Sequence, residues 1–250
     1  ERGLRTSGVE TLHGTAVFTD PNRIDVNGTA YESQRFLIAA GARPRPMDFP
    51  GAELLIDSTG FLNLAELPRR VLFVGGGFIS FEFAHIAARA GSAPVIIDHG
   101  ARPLKGFDLD LVALLVERST QAGITVESET AIRAIEPAAG GYLVTVEHAG
   151  HDEVHETDLV VHGAGRVPEL ARLDLDNAGI AHGTKGVTVS GHLQSTTNPA
   201  VFAAGDSADT PGRALTPVAV FESKVAASNM VNDTTTVPDY TGVPTTVFTI

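Results

Sequence analysis

The chain has 250 residues, 43% of them hydrophobic, with 26 Gly and 14 Pro. This is a globular composition, long enough for two compact units at roughly 100–200 residues per domain. Thirty acidic residues against 18 basic ones leave a formal net charge of −12, which repels phosphodiester backbones and anionic lipid and disfavours nucleic-acid or membrane-surface binding. Cys is absent, which removes disulfides, zinc–thiolate sites, iron–sulfur clusters and thiol nucleophiles from this chain.

The first 60 residues read as strands and turns. Apolar runs at 15–18, 23–26 and 35–40 are separated by Asp20-Pro21-Asn22 and by Asn27-Gly28, a strong two-residue hairpin signal. Gly41 and the Pro-rich stretch from Arg43 to Gly51 form an extended connection, and no helix of useful length is expected before residue 60.

The pattern changes at residue 71. Val71-Leu72-Phe73-Val74 is a continuous apolar run, as in a parallel strand buried on both faces. Gly75-Gly76-Gly77 follows, then a helical pattern over 78–90 with Glu82, His85 and Arg89 on one polar stripe and Gly91 as its stop. A strand at 95–98, a helix over 108–121 and a strand at 124–126 complete a βαβαβ unit, hence a parallel sheet. Residues 131–161 revert to alternation and predict an antiparallel meander with strands at 132–135, 142–146 and 158–161. A strand at 200–204, a helix over 215–230 behind Thr216-Pro217, and an extended apolar tail over 237–250 follow.

The spacing of Gly75, Gly77 and Ser80 between strand and helix has a physical reading. The first Gly permits the tight turn, the second clears space for a pyrophosphate, and the small third residue lets helix and strand pack closely. The helix N-terminus offers N–H groups and a positive dipole end to phosphate. Asp98, at the tip of the next strand, is placed to accept from ribose hydroxyls and to repel a 2′-phosphate, so NAD is expected, with NADP possible because His99, Arg102 and Lys105 lie close by.

A second signature is Thr197-Asn198-Pro199-Ala200-Val201-Phe202-Ala203-Ala204-Gly205-Asp206. It resembles the T-x-x-P-x-[IV]-[FY]-A-x-G-D run of two-dinucleotide flavoproteins, whose Asp contacts the flavin ribityl chain. Leu37-Ile38-Ala39-Ala40-Gly41, His162-Gly163-Ala164-Gly165-Arg166-Val167-Pro168 and Leu215-Thr216-Pro217-Val218-Ala219 resemble further motifs in the order that family uses them. Gly75-Gly76-Gly77-Phe78-Ile79-Ser80-Phe81-Glu82 resembles its nicotinamide-domain fingerprint. The chain thus resembles the pyridine nucleotide–disulfide oxidoreductases: glutathione reductase, lipoamide dehydrogenase, mercuric reductase.

The resemblance implies an α/β fold: a Rossmann-like NAD(P)-binding domain, βαβαβ sheet plus antiparallel meander, inserted into a partial FAD-binding domain. The expected boundaries are 1–60 and 191–235 for the FAD-binding part, 61–190 for the NAD(P)-binding domain, and 236–250 for the start of an interface domain. The family's N-terminal FAD βαβ unit and its redox Cys pair and His-Glu pair have no counterpart here, so the chain reads as a central fragment without catalytic residues of its own. The start Glu1-Arg2-Gly3-Leu4 agrees with a chain cut from a longer, cytoplasmic one. The resemblance places Gly75, Gly76, Gly77, Phe78, Ile79, Glu82, Asp98, His99, Arg102, Gly165 and Arg166 around the nicotinamide dinucleotide. Phe78 would screen the flavin until nicotinamide displaces it, Glu82 would lie near the nicotinamide, and Arg166 between the cofactors. It places Thr15, Ala16, Ala40, Gly41, Arg166, Gly205, Asp206, Leu215, Thr216, Pro217 and Ala219 around FAD.

The implied function is hydride passage from NAD(P)H to flavin and on to a disulfide or similar acceptor, in a homodimer formed through an interface domain. The alternatives are a non-catalytic dinucleotide-binding module, or a parent that is a flavin NADH oxidase or mercuric reductase. The 14–41 meander is expected to lack a sheet partner in such a fragment. His151 and His155 are read as part of a solvated polar hairpin, and no metal site is expected.

Overall fold

The structure is a computed structural model that describes residues 2–249. The chain begins with the short helix α1 (Arg2–Thr6) and five strands, β1 (Ala16–Asp20), β2 (Arg23–Val26), β3 (Thr29–Glu32), β4 (Phe36–Ile38) and β5 (Ala42–Pro44). Helix α2 (Ser58–Leu62) precedes β6 (Arg70–Val74), α3 (Phe78–Arg89), β7 (Ala93–Ile97), α4 (Leu109–Gln121) and β8 (Thr125–Glu127). Then come β9 (Thr130–Ala138), β10 (Gly141–His148), β11 (His151–Thr157), β12 (Leu159–His162) and β13 (Arg166–Pro168). The last elements are β14 (His182–Gly183), β15 (Gly186–Thr188), β16 (Val201–Ala203), β17 (Ala208–Asp209) and α5 (Thr216–Asn232).

These elements form two compact units, a central one of Pro44–Arg166 with Thr245–Ile250 and a discontinuous one of Glu1–Arg43 with Val167–Pro244. The boundaries therefore fall at 43, 166 and 244 rather than at the 60, 190 and 235 read from the sequence. Packing accounts for the difference. Ile56 bridges Val161, and Phe49, Leu54 and Leu55 pack against the central core. Leu170, Leu175, Ile180 and Val187 share a core with Phe18 and Ile38.

The central unit is built on a four-stranded parallel sheet, order β12-β6-β7-β8. Strand β6 is apolar at every buried position because both of its faces are covered. Val71 and Phe73 face one core with Phe61, Phe81, Ala84, Val112 and Val161. Leu72 and Val74 face the other, with Ile135, Val144, Val146 and Val160 from the antiparallel sheet β11-β10-β9 and its neighbour β12. Burial of a side chain such as Phe73 or Phe81 contributes about 1.5–3 kcal/mol. Helix α4 is capped by Asp108, whose carboxylate accepts from Asp110 and Leu111 N–H at 3.0 and 3.1 Å.

Three expectations change here. The run expected at 158–161 is not the third strand of the meander; residues 159–162 form β12, a parallel strand beside β6, and their apolar run suits a strand covered on both faces. The third meander strand is β11, with Tyr142↔Thr157 through His148↔His151 in register against β10, so His151 and His155 lie in a strand. His155 is half-buried, 3.3 Å from Glu127, and no group of metal-ligand side chains occurs among the described residues. His85 does not share an exposed stripe with Glu82 and Arg89. It is 3% exposed, its Nε2 3.0 Å from Ser119 Oγ, and it joins α3 to α4, while Ile86 takes the exposed position.

In the discontinuous unit, β4 and β16 pair in parallel, Phe36↔Val201 through Ile38↔Ala203, so the 14–41 stretch does have a sheet partner. Asn27 and Gly28, both at positive φ, turn β2 into β3. Phe18 and Phe36 meet edge to face at 5.3 Å. Helix α5 buries Val218, Glu222, Val225, Ala226 and Asn229, one stripe at helical spacing that contains two polar residues. The tail over 245–249 forms no strand. Val247 packs on the central core, and no neighbouring strand among the described residues offers it a ladder.

Candidate functional site

The glycine turn joins β6 to α3 in the central unit. Gly75 has φ +97, and a Cβ there would stand 2.6 Å from Ala164 Cα and 2.8 Å from Gly163 O. The turn is tied at two points: Gly75 N–H donates to Ile97 O at 2.7 Å, and Gly76 O accepts from Leu104 N–H at 2.8 Å. A Cβ at Gly76 would meet Asp98 Oδ2 at 2.7 Å and Pro103 Cβ at 2.8 Å. Gly77 is the N-cap of α3 and brings no side-chain cap, so the N–H groups of the first turn have no intrahelical or capping acceptor.

Ser80 stands at the third fingerprint position. It is fully buried, and its Oγ has no hydrogen-bond partner among the described residues. A Cβ at Gly163 would collide with that hydroxyl, so the extra atoms of Ser80 occupy the space Gly163 leaves.

Asp98 follows β7 directly and is 6% exposed. Its backbone is pinned between Glu127 O at 2.8 Å and Thr130 N–H at 3.0 Å, and its carboxylate lies beside Gly76. His99 Nδ1 is 3.6 Å from Asp98 Oδ1. The empty Cβ position of Gly100 is bordered by Lys105 Nζ at 2.9 Å and by Asp98 Oδ2 at 3.3 Å, which puts that ammonium in the same corner. Arg102 turns back on its own loop, donating to Lys105 O at 3.1 Å and Phe107 O at 3.4 Å.

On α3, Phe78 is 45% exposed, Ile79 is half-buried, and Glu82 accepts the N–H of Phe248 at 3.0 Å. Gly165, with φ +98, and the exposed Arg166 close the loop after β12. The central unit thus brings Gly75, Gly76, Gly77, Asp98, His99 and Lys105 to one corner, with Gly163 and Ala164 against the turn.

In the discontinuous unit, β4 and β16 run side by side, and the turns that follow them are joined by a hydrogen bond from Gly41 N–H to Ser207 Oγ at 2.9 Å. Gly205 has φ +65 and abuts Ala219, 2.9 Å from where its Cβ would stand. This brings Gly41, Gly205 and Ala219 together, with half-buried Asp206 in the turn and Leu215, Thr216 and Pro217 at the start of α5. Ala40 lies in the same β4 turn. Thr15 precedes β1 and Ala16 begins it, on the separate sheet β1-β2-β3.

Sequence reasoning missed one residue that holds this turn from α5. Glu222, 1% exposed, accepts Gly205 N–H at 2.6 Å, Thr210 O–H at 2.7 Å and Tyr240 O–H at 2.7 Å. Burial, and then the Glu222 carboxylate, push the Tyr240 phenol up to about 12. A Glu inside the apolar spacing of α5 is the signal that could have found it.

The family model described as pyridine nucleotide-disulphide oxidoreductase matches residues 1–223. The chain is 32% identical over 250 residues to a dihydrolipoyl dehydrogenase of Geobacillus stearothermophilus, an overlap covering 98% of this chain and 53% of that protein. It is 30% identical over 245 residues to a chloroplastic/mitochondrial glutathione reductase of Pisum sativum, covering 98% and 44%. Mercuric reductase of Staphylococcus aureus is 30% identical over 244 residues, covering 97% and 44%. A copper(II) complex of a mutant of the HOCl-induced flavoprotein disulfide reductase RclA from Escherichia coli superimposes with a TM-score of 0.88 at 26% identity, over 96% of this chain and 55% of that one. The chain spans about half the length of the curated relatives it matches.

Proposed function

Because the chain belongs to the pyridine nucleotide-disulphide oxidoreductase family, we propose that its central unit is the NAD(P)H-binding portion of an FAD-dependent reductase and that its discontinuous unit contributes to the flavin site. The observation that carries the first part is the corner where Gly76 leaves room for the Asp98 carboxylate, beside a helix start that no side chain caps. The residues present fit a dinucleotide. The uncapped N–H groups of α3 would hold the pyrophosphate, and the Asp98 carboxylate would accept the adenosine ribose hydroxyls. Exposed Phe78 is free of the core and would lie over the nicotinamide end, near Glu82. On the flavin side, the left-handed Gly205 and the adjoining Asp206, Gly41 and Ala219 offer a turn with little side-chain bulk.

The bound nicotinamide and flavin supply the hydride chemistry, while the protein binds, orients and screens them. The final acceptor in the whole protein is proposed to be a disulfide or a group of similar chemistry, and its assembly a homodimer.

Asp98 supports NADH over NADPH, since a 2′-phosphate would approach a buried carboxylate, whereas Arg102 is engaged with its own loop. Calorimetric titration of the chain is expected to give about tenfold tighter binding of NADH, ~1.4 kcal/mol. Asp98→Ala is expected to narrow that gap. Equal affinities in the starting protein would remove the basis for the assignment. The purified chain alone is expected to carry no stoichiometric FAD, because among the described residues α3 is the one α-helix that starts behind a glycine turn; a flavin absorbance band at one flavin per chain would contradict this.

A further inference from the structure

A buried carboxylate without a cation is costly unless hydrogen bonds replace its lost hydration. Glu222 sits on the core-facing stripe of α5, at a position where an aliphatic side chain would match Val218, Val225 and Ala226. No ion pair involves it among the described residues; it is satisfied by three donors instead, from the Gly205 backbone, Thr210 and Tyr240. Thr210 Oγ1 in turn accepts Gly212 N–H at 3.2 Å, and a Cβ at Gly212 would crowd both Glu222 Oε1 and the Tyr240 ring. Two turns along the same face, Asn229 repeats the arrangement. Its Oδ1 accepts from Thr234 O–H and Thr236 N–H, and its Nδ2 donates to Thr236 O and His192 O. The irregular segment 234–243 is thus fastened to α5 by the only two polar side chains of that helix's buried stripe.

From this geometry we infer that Glu222 is a positioning residue. It fixes the Gly205 amide, and with it the direction in which Asp206 is presented, and through Tyr240 it makes that turn depend on the segment 234–243. Its relevance to flavin rests on the reading of the Gly205-Asp206 turn given above.

The chemistry of the substitutions separates positioning from packing. In Glu222→Gln the amide oxygen can still take Gly205 N–H, and the amide NH₂ can donate to the Thr210 and Tyr240 hydroxyls, which also accept. In Glu222→Leu the volume is kept and the acceptor is lost. Tyr240→Phe removes one of the two donors on Oε1. Amide NMR of the full chain is expected to show Gly205 N–H downfield and protected from exchange in the starting protein and in Glu222→Gln. In Glu222→Leu it should move upfield and lose protection, with Asp206 and Ser207 shifting and the amides of Gly75, Gly76 and Gly77 unmoved. In Tyr240→Phe the Gly205 amide should shift by a smaller amount. An unchanged Gly205 amide in Glu222→Leu would overturn the assignment, and an unchanged one in Tyr240→Phe would overturn the link to the C-terminal segment.

FAD titration by flavin fluorescence forms the second arm. Added FAD is expected to bind the starting chain measurably, though too weakly to survive purification, with Glu222→Leu weakening it about tenfold at preserved NADH affinity and Glu222→Gln restoring it. Uptake by neither protein would count against the flavin reading of the turn, and the amide result would still decide the role of Glu222.

Discussion

The two units hold their turns by opposite means. In the central unit the turn after β6 is shaped by atoms that are missing: Gly75 makes way for Ala164, Gly76 for Asp98, and Gly163 for Ser80. In the discontinuous unit the turn after β16 is shaped by a side chain that is added, the Glu222 carboxylate reaching Gly205 from 17 residues further along the chain. A turn made by subtraction is rigid because its neighbours fill the space. One made by addition is only as firm as the hydrogen bonds that converge on it.

Substitution can break this contrast. The largest effect is expected for Gly75→Ala, which combines a left-handed backbone with a Cβ placed 2.6 Å from main chain that cannot move aside. A loss of about 3 kcal/mol or more is expected in denaturant titration, with NADH binding abolished. Glu222→Ala should follow, at about 1–3 kcal/mol, because it leaves the half-buried Gly205 N–H, Thr210 and Tyr240 without their acceptor, and Glu222→Gln should recover most of that loss. A double-mutant cycle sharpens the subtractive side. Gly163→Ala is expected to be more harmful with Ser80 present than with Ser80→Gly, with a coupling of about 1–2 kcal/mol. A coupling of zero would mean that the two sites do not share that space.

The smallest effect is expected away from both turns, at Arg70. Its guanidinium and backbone N–H bind Asp158 at 2.6–3.0 Å, and the Arg70 hydrogen bonds hold the Asp158 carboxyl below its usual 3.8. The folded pKa is the lower one, so this stability is fully present above the unfolded value and is lost as pH falls below it through the folded value. The difference in melting temperature between the starting protein and Asp158→Asn should therefore be constant near neutrality and shrink in that acid window. A difference that persists in strong acid would assign the effect to packing.

The same contrast explains what could be read from the sequence. The βαβαβ unit and its glycine turn were legible within a residue or two because an apolar run, a Gly cluster and a helical stripe are all local. The run 158–161 reads as part of the meander because it directly follows it, and the pairing of Leu159-Val160-Val161 with β6, some 88 residues earlier, leaves no local trace. Strand β11 has no readable alternation because Val154 is its only aliphatic residue, and the structure leaves that side chain exposed. His85 reads as polar surface from its position in the helical stripe, because its partner Ser119 lies on another helix. Glu222 and Asn229 escaped for the same reason: their partners sit up to 37 residues away in the chain. A polar residue at apolar spacing was the one visible sign.

The parallel pairing of β4 with β16 has a kinetic consequence. Its register joins Phe36 to Val201, so the two strands meet only after a very long loop has closed, and loop entropy must be spent before any contact repays it. That loop contains nearly all of the central unit, whose own ends are drawn together by the hydrogen bond from Arg45 N–H to Gly165 O at 3.0 Å. Collapse of the insert therefore shortens the effective tether between the two strands. Folding is expected to proceed from the inside of the sequence outward, with amides of β6 and β7 protected before those of β4 and β16 in pulse-labelled exchange. Early protection of β16 would reverse that order.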